Sequence, residues 1–95
     1  MTLIRVINPN SNDGVTQAMS EALEPLRLND GPKIDCVTIA EGPFGVESDD
    51  DVRVAGTLVR NEVKKDTEAA AFVIACYSDP GLTAARQETS KILFF

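Results

Sequence analysis

Apolar residues along this chain follow two alternating rhythms. Leu3-Ile4-Arg5-Val6-Ile7, Lys33 to Ile39 and Ala71 to Cys76 are short runs rich in branched aliphatic side chains, the pattern of strands covered on both faces. Between the first two, Val15, Met19, Ala22, Leu23 and Leu26 recur at helical spacing. They predict an amphipathic helix over about 13 to 24, which Pro25 ends or bends. Behind Ser48, a residue type that caps helix amides, Val52, Ala55, Leu58, Val59 and Val63 repeat that spacing on the side expected to face the sheet. Asp49-Asp50-Asp51 then falls in the first turn, where acids suit the positive end of the helix dipole. A third helix is expected from about 80 to 89, and Ile92-Leu93-Phe94-Phe95 reads as the start of a fourth strand.

Alternation of strand and helix implies a parallel sheet with right-handed crossovers. The predicted fold is therefore an α/β, three-layer αβα lobe, β-α-β-α-β-α-β, with a flavodoxin-like strand order 2-1-3-4. Residues 1–95 form one such lobe. Its switch point lies between strands one and three, where open α/β sheets bind their ligands. That puts the turn-rich Asn8-Pro9-Asn10-Ser11-Asn12-Asp13-Gly14 beside Cys76.

Composition narrows the chemistry. A chain of 95 residues makes one small domain. Its net charge of −6 argues against nucleic acid or an anionic membrane as partner. No apolar run approaches the roughly 20 residues needed to span a bilayer. Met1 to Arg5 leads straight into strand-like sequence without a secretory leader, so a cytoplasmic protein is expected. The two cysteines, Cys36 and Cys76, are too few for a disulfide scaffold and lack metal-ligand spacing. Histidine is absent, which excludes a Cys-His hydrolase or a histidine general base within the chain. The acid run at 49–51 is explained by helix-end electrostatics more simply than by a cation. Neither a metal nor a cofactor is expected.

Cys76 is the centre of the candidate chemistry. It stands at the carboxyl end of a predicted strand, just before Asp79-Pro80, a helix-opening pair. A helix N-terminus favours thiolate over thiol, and without histidine a thiolate is the best base on offer for a carbon-bound proton. The alternative is a buried cysteine acting as a small hydrophobe, the common fate of intracellular cysteines. Cys36, inside strand two, is assigned to packing. Free amides around Tyr77 to Gly81 and the Ser78 hydroxyl suit a developing oxyanion. Asn8, Asn10 and Ser11 offer donors and acceptors for a small polar ring, or simply build the turn that caps helix one. Ser48 carries the same two readings.

Three stretches together resemble the aspartate/glutamate/hydantoin racemase superfamily, most closely its hydantoin and allantoin racemase branch. They are Ile7-Asn8-Pro9-Asn10-Ser11, Gly42-Pro43 with Glu47-Ser48, and Ile74-Ala75-Cys76 with Asp79-Pro80-Gly81-Leu82. The resemblance implies two similar lobes facing across a cleft, each with a cysteine, one removing the proton α to a carbonyl and the other returning it. Cys76 corresponds to the first-lobe cysteine, and the second lobe has no counterpart in these residues. Asn8, Asn10, Ser11, Ser48, Tyr77 and Ser78 are then expected to surround a hydantoin or related amide. A homo-oligomer or a second lobe would complete the site. The alternatives are a catalytically inactive binding or interaction domain and a one-cysteine decarboxylase-like member of the superfamily.

Overall fold

A computed structural model describes residues 2–76, 82–89 and 91–94. Its elements run β1 (Leu3–Asn8), α1 (Asp13–Ala22), β2 (Lys33–Thr38), α2 (Asp49–Lys65), β3 (Ala71–Ile74), α3 (Leu82–Glu88) and β4 (Ile92–Phe94). All strand pairs are parallel, in the order β2-β1-β3-β4, as the alternating rhythm predicts. None of the described helices is long and apolar enough to cross a membrane.

Strand period divides the sheet into two faces. Val6 is aligned with Cys36 and Val73, and Ile4 with Ile34 and Ala71, so these share one face. Ile7 is aligned with Val37 and Ile74, and Phe72 belongs to this opposite face. There Ile7, Phe72, Ile74 and Leu93 meet Val59 and Val63 of α2 and Ala85 of α3 in the main core. Phe72 is completely buried; truncating such a ring costs about 3–5 kcal/mol.

The face toward α1 is less well covered. No residue of α1 is buried. Beside it runs an apolar groove of about 430 Å³ lined by Ile4, Val6, Met19, Leu23, Ile34 and Val73.

Element ends differ from expectation by one or two residues, for local reasons. Helix α1 stops at Ala22, and Glu24–Leu26 forms a 3-10 turn with Pro25 near its start. Strand β2 ends at Thr38, although the Ile39 amide still donates to the Asn8 carbonyl at 3.1 Å. Strand β3 was expected to reach Cys76 and ends at Ile74. The Ala75 amide donates to the Ile7 carbonyl at 2.9 Å, but the Cys76 amide turns back to the Ile74 carbonyl at 3.1 Å, closing a three-residue turn. The Asp79-Pro80 helix start lies outside the described residues.

At the other end of the sheet, a charged cluster joins three elements. Arg5 donates from Nε to Asp66 at 2.8 Å and from Nη1 to Asp35. The second oxygen of Asp66 accepts from the amides of Glu68 and Ala69, at 2.9 and 3.0 Å, fixing the turn from α2 into β3. Burial pushes the Asp66 carboxyl up, but these hydrogen bonds and the Arg5 charge outweigh it and hold it below the usual carboxylate range. Lys91 donates to the Asp66 carbonyl at 3.1 Å and lies 5.7 Å from the Phe72 ring centre.

Candidate functional site

The loops after β1 and β2 leave from the carboxyl edge of the sheet together with the Ala75–Cys76 turn, because successive parallel strands end together there. After β1, Pro9 to Asn12 forms a turn held from beneath by Asn8. That side chain is fully buried at 0 % exposure. Its Nδ2 donates to Asn10 Oδ1 at 2.9 Å, Thr16 Oγ1 at 3.0 Å and the Asn12 carbonyl at 3.2 Å. Its Oδ1 accepts from the Asn10 amide at 3.2 Å. Asn12 then caps α1, accepting from the Gly14 amide at 3.0 Å.

Thr16 also meets Thr38 hydroxyl to hydroxyl at 2.6 Å, linking α1 to the last residue of β2. These two threonines are absent from the sequence-derived site. A signal exists for Thr38, which is polar at a position alternating with Cys36 and Ile34 on an otherwise apolar face.

The β2 loop leans on the β1 loop. The Ser11 amide donates to the Pro43 carbonyl at 2.9 Å, and the Gly42 amide to the Ile39 carbonyl at 3.0 Å. A Cβ on Gly42 would stand 2.5 Å from the Pro9 carbonyl oxygen, so only glycine allows this approach. Ser48 accepts from the Asp51 amide at 3.0 Å, and Asp51 accepts from the Ser48 and Glu47 amides at 3.2 and 3.1 Å, a reciprocal capping box. Those backbone bonds, Glu47 first and then Ser48, hold the Asp51 carboxyl below its ordinary range.

Asn8, Asn10, Ser11 and Cys76 therefore gather at one edge, with Ser48 opening the next helix. Both cysteines are half-buried thiols. Cys36 sits two residues inside the end of β2, aligned with Val6 on the face toward α1. Tyr77 and Ser78 lie outside the described residues. Amide and hydroxyl groups beside a thiol at a switch point suit a small polar ligand and proton transfer.

A parallel αβα lobe with polar loops converging on its carboxyl edge places the protein among the doubly wound α/β proteins. Residues 4–94 match the Asp/Glu/hydantoin racemase family, and the chain belongs to it. It is 40 % identical over 90 residues to a hydantoin racemase of Pseudomonas sp. (strain NS671), covering 93 % of this chain and 36 % of that protein. A hydantoin racemase of Paenarthrobacter aurescens is 32 % identical over 91 residues, covering 93 % and 38 %. Among solved structures, allantoin racemase from Klebsiella pneumoniae superposes with a TM-score of 0.88 at 27 % identity, over 99 % of this chain and 39 % of that one. The chain thus spans well under half the length of these relatives.

Proposed function

We propose that these residues form one lobe of a cofactor-independent racemase acting on a hydantoin or related cyclic amide, with Cys76 as the proton carrier. The observation that carries this reading is that β1 and β3 lie side by side and end together, the Ala75 amide still donating to the Ile7 carbonyl at 2.9 Å, so that the Asn8 to Ser11 turn and Cys76 leave the same sheet edge. Relatives named as hydantoin racemases support the substrate class.

In this mechanism the Cys76 thiolate removes the proton from the carbon α to the carbonyl. The C–H electron pair moves into the carbonyl, leaving charge on its oxygen, and the thiolate becomes a thiol. Asn10 and Ser11, with Ser48, Tyr77 and Ser78, supply the donors that hold the ring and its developing oxyanion. Inversion requires an acid on the opposite face of the same carbon. Cys36 lies inside β2 and does not serve there, so we assign that acid to a second lobe or a second chain.

A one-sided base still exchanges the α proton with solvent. In D2O, deuterium uptake at C5 of L-5-benzylhydantoin is expected to be faster with the chain than with its Cys76→Ala variant, while optical rotation decays more slowly than proton signal. Equal uptake with both proteins would remove Cys76 from the mechanism.

A further inference from the structure

Two backbone amides fix the polarity of the β1 loop. A peptide N–H only donates, so the atom that the Asn12 amide meets at 2.9 Å must be the Asn10 side-chain oxygen. The same oxygen accepts from Asn8 Nδ2 at 2.9 Å. Asn8 is oriented in turn by the Asn10 amide, which meets its oxygen at 3.2 Å, and by the Asn12 carbonyl and Thr16 hydroxyl, which face its Nδ2. Asn10 Nδ2 has no hydrogen-bond partner among the described residues, and no buried side-chain nitrogen or oxygen among them lacks a partner, so this group reaches solvent.

We infer that Asn10 is a fixed-polarity donor that recognises an acceptor oxygen of the ligand, a ring carbonyl or a carboxylate, and that Asn8, Thr16 and Thr38 are positioning residues that set it. The inference rests on the ligand-binding reading above. Because both lone-pair directions of the Asn10 oxygen are committed inward, the carboxamide cannot flip to offer an acceptor without giving up two hydrogen bonds. The loop therefore discriminates against a ligand that presents N–H at this point. The Thr16–Thr38 contact carries that orientation down to the end of β2.

Asn10→Asp separates recognition from structure. It keeps an oxygen for both inward bonds and places an anion near the start of α1, where it is tolerated or favoured. The outward group changes from donor to acceptor. Titration of the ¹⁵N-labelled chain with L-5-benzylhydantoin, and separately with its ring-opened N-carbamoyl acid, followed by NMR, should show affinity reduced about tenfold or more in Asn10→Asp, the size expected for exchanging a hydrogen bond for an opposed pair. Its Tm should stay at or above that of the wild type. Stronger binding of the hydantoin assigns the acceptor to a ring carbonyl; stronger binding of the ring-opened acid assigns it to a carboxylate. Thr38→Val should move the Asn10 side-chain amide signals and weaken binding several-fold, and Thr38→Ser should restore both. Wild-type affinity in Asn10→Asp overturns the recognition role, and unmoved Asn10 signals in Thr38→Val overturn the positioning role. Failure of the wild-type chain to bind either probe overturns the reading of this lobe as a ligand-binding surface, and slow solvent exchange of the Asn10 amide protons in the unliganded chain independently overturns the assigned polarity.

Discussion

Gly42 lies so close to Pro9 that a Cβ on it would stand 2.5 Å from the Pro9 carbonyl oxygen, and 3.1 Å from that of Ile39. Both neighbours are backbone, so neither yields as a flexible side chain would. Gly42→Ala is expected to cost about 2 kcal/mol and to lower Tm by roughly 10 °C. Hydrogen exchange should show the Ser11 amide losing protection as its bond to Pro43 opens. An unchanged Tm would mean that the two loops are not pressed together.

Ser48 separates capping from ligand contact. Ser48→Ala removes the acceptor for the Asp51 amide and should cost about 1 kcal/mol. Ser48→Asp keeps an acceptor and should recover that stability. If Ser48 also touches ligand, hydantoin binding stays weakened in Ser48→Asp although its Tm recovers.

The Arg5–Asp66 pair gives the fold an acid-side weakness. Asp66 has a folded pKa below its unfolded value, so its contribution is complete above the ordinary carboxylate pKa of about 4 and is lost as pH falls through the depressed folded value. Arg5→Met leaves a largely buried carboxylate with backbone donors alone, at a cost of about 3 kcal/mol at neutral pH. Urea melts across pH 3 to 7 should show a shallower acid-side fall in Arg5→Met than in the wild type.

Thiol reactivity should differ between the cysteines. Cys36 is held within β2, whereas Cys76 lies beyond the end of β3. Limited iodoacetamide treatment at neutral pH, read by peptide mass, is expected to modify Cys76 first. Preference for Cys36 would argue against a chemical role for Cys76.

The apolar groove beside α1 should make the isolated chain self-associate. Sedimentation at micromolar concentration is expected to show species larger than a monomer, with Val73→Glu shifting them toward monomer. A stable wild-type monomer would contradict this.

Periodicity alone was enough for the order of elements, the parallel sheet and the face of α2 that enters the core. Branched runs and helical spacings are local properties, and the handedness of crossovers then leaves few topologies. Ser48 as a cap was legible for the same reason, since its partner Asp51 is only three residues away. The placement of Asn8 and Ser11 at the sheet edge near Cys76 followed from strand order.

What the sequence by itself determined was where the strands end to within two residues and which chemistry gathers there: a thiol, two carboxamides and hydroxyls without histidine. Tertiary structure decided how those groups are used. The 2.6 Å contact between Thr16 and Thr38 joins residues 22 apart, and the Arg5–Asp66 bond joins residues 61 apart. No local pattern encodes either distance. Asn8 and Asn10 look alike in the sequence, yet one is buried with its amide committed to its neighbours and the other leaves its NH2 toward solvent. That difference arises because a buried polar group must find partners, and which partners stand beside Asn8 is set only when α1 folds back over β1 and β2.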